Sequence, residues 1–497
     1  MISKNIPTIK LGLIASSRNN FADELSLTSR KQIADILTEK GVEFYEIQTL
    51  VVTETDSVKA LKEAEENGCN ALAVVLGNFG PETPETIIAK RFDGPVMYAA
   101  VSEISKDTMF AGRRDSYCGL LNASYNLDIR NCKAYIPKYP VGTAEEITVM
   151  IQNFLPVARV IVGVSHLKMI VFGPRPNDFL ACNAPIKPLF DLGAEIQENS
   201  ELDLYLAFLD HKGDSRIPET VASMKKIVGE KYPDTLEKMA QYELTLLDWI
   251  EDNRGASDYV CLANKCWPSF QKAFGFLPCL VHSRLAAAGI PVGCETDIYG
   301  GLSEFIGACV SDVPTAILDI NNNISIDVYE EMIKGQFGYD LNEIFVGFHC
   351  GNTANELLCS SGLSYKMNRK DPYAPETGKE QTRGVLEGRM KPGKVSVFRL
   401  HSSAEGNLQS YVGEGEILPV ALNTYGCYAV FGIKGMEKFY RHVLIGKHFP
   451  HHSAIVYGDH AAQLYEAMQY LGIGYVGCNR MEDIHYENEV PFEYEYK

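Results

Sequence analysis

Hydrophobic positions along this chain fall into three regimes. Between residues 8 and 160, nearly continuous apolar runs alternate with amphipathic segments. TIKLGLIA precedes a helical pattern from Ala22 to Lys40 that closes at Gly41, and VEFYEIQTLVV precedes another from Ser57 to Asn67 that closes at Gly68. ALAVVLGNFG and GPVMYAAV continue the series. Short apolar runs separated by helical periodicity predict buried parallel strands joined by crossover helices. The alternation resumes after residue 160 in KMIVFGPRPNDFLAC, in the charged helical stretch Asp214 to Trp249, and in ASDYVCLANKCW. Two doubly wound α/β units are therefore expected. From about Lys391 the runs shorten and Gly and Asn punctuate them, in KVSVFRLHSS, NLQSYVGEGEI, YGCYAVFGI and SAIVYGD. That spacing predicts antiparallel strands in a barrel or a sandwich. Residues 363–394 are polar and read as a surface loop.

The stretch Gly289 to Asn323, GIPVGCETDIYGGLSEFIGACVSDVPTAILDINNN, joins the second regime to the third. Ile290 to Cys294 is an apolar run ending on Glu295. Gly300 and Gly301 open a helix over Leu302 to Val310, and Thr315 to Leu318 is a second apolar run ending on Asp319. Each carboxylate stands where a buried strand runs out, the end of an α/β sheet at which ligands bind. Two acids placed there can converge on one metal or one substrate. The plainer alternative is that each caps a helix or pairs with an arginine.

Composition narrows the function. The chain has 497 residues, enough for several domains, and 46% of them are hydrophobic. A net charge of -18, spread along the chain, argues against nucleic acid and anionic membrane as partners. The N-terminal MISKNIPTIKLGLIASSRNNF does not have a leader pattern, and no apolar run reaches about eighteen residues, so a cytoplasmic protein is expected. The 13 cysteines show no CxxC pair, and Cys261, Cys294, Cys309 and Cys427 sit in apolar runs; they read as buried reduced thiols and not as a zinc site. The glycine-rich turns lack GxGxxG order, which excludes a dinucleotide fingerprint.

Further candidate chemistry lies in five places. His349 ends the apolar run Ile344 to Phe348. FRLHSSAEG holds His401 and Glu405. KHFPHHSAIVYGDH places His448, His451, His452 and His460 around a strand, four of the 11 histidines. Strand alternation sends His451 and His452 to opposite faces, so at most one serves a given pocket. Two carboxylates with one imidazole and open positions suit Mn²⁺, Mg²⁺ or Co²⁺. Activity depending on a neutral imidazole ligand would fall as pH drops through about 6. Trp267 and Gln271 occupy a loop at the ligand end; Arg18, Asn78 and Arg113 lie in N-terminal loops.

GIPVGCETDIYGGL followed by TAILDINNN resembles the metal-carrying segment of the L-fucose isomerase family, with the same separation between its two acids. HHSAIVYGDHAAQLYEAMQYLGIGYV resembles the segment that carries the family's third ligand, a histidine six positions before a glycine, as His452 stands before Gly458. The paired histidines also resemble L-arabinose isomerase, and SSRNNF matches a substrate-contacting arginine at Arg18. The resemblance implies two Rossmann-like doubly wound α/β domains, 1–160 and 161–312, then a C-terminal antiparallel β-barrel domain, 313–497. It implies aldose–ketose isomerisation on an Mn²⁺ (or Mg²⁺ or Co²⁺) centre held by Glu295, Asp319 and His452. Glu295 and Asp319 would double as the acid/base groups, and which of them takes the C–H proton stays open. Arg18, Asn78, Trp267, Gln271, His349 and His451 would contact the sugar. In that family the N-terminal domain covers a neighbour's site, so a homo-oligomer, a hexamer, is expected. The substrate would be a pentose, a 6-deoxyhexose or a hexose with an anionic C6 group. The rival is a non-catalytic sugar-binding protein with two α/β domains around a cleft.

Overall fold

A computed structural model describes residues 5–494 except 369, 372 and 374. Residues 1–4, the start of the stretch read above for a leader, lie outside the described residues, as do three positions of the polar segment 363–394. The chain divides into two compact units, residues 7–162 with 494, and residues 163–493 with 5 and 6.

In the smaller unit the apolar runs become β1 (Leu11–Ser16), β2 (Phe44–Glu46), β3 (Ala71–Leu76), β4 (Val96–Val101) and β5 (Val141–Gly142). They form one parallel sheet in the order β2-β1-β3-β4-β5. Every residue of β1, β3 and β4 is buried, as expected of strands covered on both faces by helices. Helix starts follow local chemistry: Thr53 and Asp56 form a capping box on the helix Glu54–Glu66. The chain leaves β1 toward β2 on one side and returns to β3 on the other, so the loops after β1 and β3 meet at a switch point.

The larger unit opens with β6 (Leu167–Gly173), β7 (Glu195–Ser200), β8 (Tyr259–Ala263) and β9 (Val292–Gly293), again all parallel, in the order β7-β6-β8-β9. Its second sheet contains β10 (Ala316–Asn323), β11 (Ile344–His349), β12 (Gly362–Tyr365), β13 (Arg383–Arg389), β14 (Gly393–Ser402), β15 (Leu408–Leu418), β16 (Cys427–Gly432), β17 (His452–Tyr457) and β18 (Val476–Cys478). Their order is β12-β13-β16-β11-β10-β17-β14-β15-β18, and β15 also pairs with β16. Two contacts, β13 with β16 and β15 with β18, are parallel, so the sheet is mixed.

One helix, Ile298–Ser311, joins the two sheets. It packs against β8 and β9 on one side and β14 and β17 on the other, and every residue from Ile298 to Val310 is buried. Burying Leu302, Phe305 and Ile306 contributes about 1.5–3 kcal/mol each. Its glycines permit the close approach. A Cβ on Gly301 would meet Cys261 Sγ at 2.8 Å, and one on Gly307 would meet Val456 Cγ2 at 2.6 Å.

Three expectations change. The helix begins at Ile298, before the glycine pair, because Asp297 accepts the Gly300 N–H and caps it. Asp319 sits within β10 and not at its end; only the burial stops at Leu318. Residues 363–394 include most of β12 and all of β13. One helix, Ala144–Ser165, is long and apolar enough to cross a membrane by length and composition, and 61% of its most apolar window is buried within the protein. All 13 cysteines are free, and Cys261, Cys294, Cys309 and Cys427 are buried.

Candidate metal centre

Glu295 arrives on the turn after β9. Glu295 and Thr296 both take left-handed backbone, with φ of 59° and 61°, a conformation costing non-glycine residues about 1 kcal/mol or more each. Thr296 N–H donates to the Asn264 carbonyl just beyond β8, which fixes the turn. The Glu295 carboxylate accepts the Trp267 indole N–H on Oε1 at 2.9 Å and brings Oε2 to 3.5 Å from His452 Nε2.

Asp319 and His452 come from the second sheet. β10 and β17 are antiparallel, and their register sets Asp319 directly opposite His452. Asp319 Oδ1 is 3.5 Å from His452 Nε2. His349, at the end of β11, places its ring centroid 5.8 Å from that of His452. Three candidate ligand sets share His452: one with Glu295 and His451, one with Asp319 and His349, and one behind it with Cys182 and Asp297. Within each set the candidate ligand atoms lie within 4.8 Å of one another.

His452 Nε2, Asp319 Oδ1 and His349 Nδ1 are buried and have no hydrogen-bond partner. Leaving such atoms unsatisfied is costly. Together with the Glu295 carboxylate they make a donor set of two imidazoles and two carboxylates, which fits a borderline divalent cation.

The opposite edge of His452 is fixed from behind. Its Nδ1–H donates to Asp297 Oδ2 at 2.8 Å, which leaves Nε2 to face the centre. Asp297 is held in turn by Arg399, whose two terminal nitrogens donate to its two oxygens at 2.6 and 3.0 Å. Arg399 is fully buried, and the hydrogen bonds of this pair satisfy the charge. A Cβ at Gly300 would collide with the Asp297 carboxylate, so the glycine pair of the motif makes room for the ion pair.

These contacts shift the titrations. Burial pushes the Asp297 carboxyl up, but the Arg399 charge and the His452 hydrogen bond outweigh it and hold it far below the carboxylate range. Burial likewise acts to raise Glu295, yet the His452 imidazole close by and the His349 charge bring it down to about 2. For His452, burial acts downward, and the hydrogen bond to Asp297 with Cys182 and Glu295 close by overcomes it, raising the imidazole well above 6.5. Burial lowers His349 and His451.

Phe179, from the loop after β6, walls the centre. Its ring lies 6.0 Å from Trp267, 5.7 Å from His451 and 6.4 Å from His452. Beside it a cavity of about 490 Å³ opens, lined by Gly173, Arg175, Cys182, Glu198, Asn199 and Thr296 among others.

The structure thus brings together Glu295, Asp319, His452, His349, His451 and Trp267. His451 is a correction. Its Nε2 is 3.8 Å from Asp319 Oδ1 and its ring 4.4 Å from that of His452, because it precedes the first residue of β17 and escapes the strand's alternation. No hydrogen bond, ion pair or ring contact joins Gln271, on the short helix Phe270–Phe274, to the centre. Among the ligand sets of the described residues, His448, His460 and Glu405 have no part. His401 neighbours Arg399 at 3.4 Å and is driven down to about 4 by burial and that charge. Arg18 and Asn78 belong to the smaller unit, at the switch point between β1 and β3. There Asn78 Oδ1 accepts the Arg18 backbone N–H at 3.0 Å, and the Arg18 guanidinium covers the Phe79 ring at 4.5 Å. Arg113, in the same unit, pairs with Asp115.

Sequence reasoning missed Asp297, Arg399, Phe179 and Cys182. Asp297 had a readable signal, an N-cap residue immediately before a helix opening on glycines. Arg399 had none, because a buried arginine on a strand shows its purpose only when its partner is known.

Comparisons with known proteins add the following. Residues 12–165 match the family model for the fucose/sulfoquinovose isomerase N-terminal domain, and residues 347–478 match that for the L-fucose isomerase C-terminal domain. His349, His451 and His452 fall in the second match, whereas Glu295 and Asp319 lie between the two. A sulfoquinovose isomerase of Alkalicoccus urumqiensis is 27% identical over 312 residues, 61% of this chain and 63% of that protein. One of Priestia aryabhattai is 24% identical over 322 residues, 64% and 66%, and one of Clostridium sp. (strain MSTE9) 25% over 331 residues, 65% and 67%. The chain thus spans less than two thirds of the length of the first two relatives.

Proposed function

We propose, from the premise that the chain belongs to the fucose/sulfoquinovose isomerase family, that it is a metal-dependent aldose–ketose isomerase whose substrate is a hexose with an anionic C6 group, sulfoquinovose as for its relatives. The observation that carries this reading is the convergence of Glu295 and Asp319 on the unpartnered Nε2 of His452. Mn²⁺, with Mg²⁺ or Co²⁺ as substitutes, is the proposed ion. When bound, it would supply Lewis-acid polarisation at O1 and O2 of the open-chain sugar.

The chain's own groups account for the proton movements. A C–H next to a carbonyl is weakly acidic, so a charged carboxylate must stand ready beside C2. Glu295, held at about 2, is ionised at neutral pH and has one oxygen fixed by Trp267. One of Glu295 and Asp319 takes the C2 proton and returns it to C1, giving a cis-enediol on the way. The other moves a proton between O2 and O1. Asp297 and Arg399 hold His452 in one orientation throughout. Phe179 and Trp267 form an apolar wall that limits water near the enediol, and His349 and His451 lie where sugar hydroxyls would pass.

We read the second sheet as an antiparallel β-barrel, giving domains 1–160, 161–312 and 313–497. In support, pairings run β16-β11-β10-β17-β14-β15 and return to β16, all antiparallel. Homo-oligomerisation as a hexamer, with Arg18 and Asn78 acting on a neighbour's site, and a cytoplasmic location complete the reading; light scattering that finds an active monomer removes the first. A non-catalytic sugar receptor has no use for three converging metal-type donors.

The deciding experiment strips the protein of metal. It then incubates the protein with sulfoquinovose, glucose, L-fucose and L-arabinose, with and without Mn²⁺, in D₂O. Ketose carrying deuterium at C1, only when metal is restored, is the expected product. No ketose from any sugar would sink the assignment.

A further inference from the structure

Lys366 follows directly on β12. Its backbone N–H donates to the Thr382 carbonyl at 2.9 Å, which pins it at the base of the β12–β13 hairpin. The side chain is half-buried, and its ammonium lies 5.8 Å from the centroid of the Trp267 ring, whose N–H holds Glu295. One indole therefore separates this cation from a carboxylate of the candidate metal centre.

Three interior cations of the larger unit have counter-charges within ion-pair distance. Arg399 pairs with Asp297, Arg284 with Glu243, and Lys265 with Glu201. Lys366 does not: among the described residues no carboxylate lies within ion-pair distance of it, and its ammonium donates no hydrogen bond. The titratable groups around it are the thiols Cys266, Cys350, Cys279 and Cys294. A half-buried cation with no anion beside it is available to take the negative charge of a ligand. With Glu295 and Asp319 balancing the charge of a divalent ion, the centre offers little attraction to a further anion. An anionic C6 group therefore needs a cation of its own, and the Lys366 ammonium beside the Trp267 ring is one. Arg175 is the other cation here without an ion pair, but the cavity it lines also contains Glu198, which opposes an anion.

We infer that Lys366 binds the anionic C6 substituent of the sugar and thereby sets the preference for a C6-charged over a C6-neutral aldose. This rests on the isomerase reading above. A charge-assisted hydrogen bond to an anion, lost on substitution, corresponds to about 10- to 100-fold in affinity.

The test compares kcat/KM for sulfoquinovose and for glucose in wild type, Lys366→Met, Lys366→Arg and Arg175→Met, each with its metal content measured. Methionine keeps the apolar stem against the indole, and far-UV circular dichroism checks the fold. Wild type should favour the sulfonated sugar. In Lys366→Met the ratio between the two sugars should fall about 10- to 100-fold, mainly through KM for the sulfonated sugar, and Lys366→Arg should restore most of it. An unchanged ratio in Lys366→Met, or a ratio that collapses in Arg175→Met instead, overturns the inference while leaving the isomerase in place. A wild type that isomerises neither sugar overturns the isomerase reading and this inference with it.

Discussion

Asp319 and His452 oppose one another across β10 and β17, Oδ1 to Nε2 at 3.5 Å, and neither atom makes a hydrogen bond. Two strands have been brought into register so that a carboxylate and an imidazole share a space that neither fills. With Glu295 entering from the other sheet, that space has the donor set of a divalent cation.

Loss of either acid should therefore remove a ligand and an acid/base group together. Asp319→Asn and Glu295→Gln should each lower kcat at least about 10³-fold, given the usual contribution of one general acid or base and the cost of a damaged metal site. Steady-state rates at saturating Mn²⁺ decide this, with circular dichroism confirming the fold. Near wild-type turnover in either variant would remove that residue from the centre.

The two adjacent histidines should separate by metal content. His452 is buried with Nε2 at the focus of both acids, whereas His451 is more exposed and stands 3.8 Å from Asp319. After dialysis, His452→Ala should retain little metal and His451→Ala most of it. His451→Ala should instead raise KM. Elemental analysis of the two purified variants is the measurement, and a reversed result would exchange their roles.

Asp297→Asn tests the support behind the ligand. It leaves Arg399 charged, buried and poorly paired, a change that costs about 3–5 kcal/mol of stability. It also removes the carboxylate that orients His452, which should weaken metal binding about 10- to 100-fold. The double variant Asp297→Asn/Arg399→Met should recover much of the stability and none of the metal affinity. Denaturant melts and metal titration separate the two effects, and recovery of both together would make Asp297 a purely structural residue.

Metal affinity should depend on pH above the ordinary histidine range. His452 is raised well above 6.5, so in the metal-free protein it keeps its proton to a higher pH than an ordinary histidine. A cation must displace the Nε2 proton. Affinity should then rise about tenfold per pH unit below the raised value and level off above it. The loss on acidification begins higher than the pH near 6 expected for an unperturbed imidazole. Calorimetric Mn²⁺ titrations from acid to alkaline pH read this directly, and a flat profile would exclude His452 as the titrating ligand.

Hydrophobic periodicity is a local property, and what it encodes was legible in the linear chain. The buried runs of β1, β3, β4, β6 and β8 and the helices between them were readable because a strand covered on both faces must be apolar throughout. Glu295 was legible for a related reason, since it stands where an apolar run gives way to a loop, whereas His452 was singled out from its neighbour only by family resemblance. β7 was not, because its residues, Glu195–Ser200, are largely polar and pair only with β6 at the sheet edge. The pairing of Asp319 with His452, the grip of Arg399 on Asp297 and the indole between Lys366 and Glu295 join segments far apart in sequence. Which residue meets which across such distances depends on strand register and on the packing of one buried helix between two sheets, and periodicity along a single segment does not contain either.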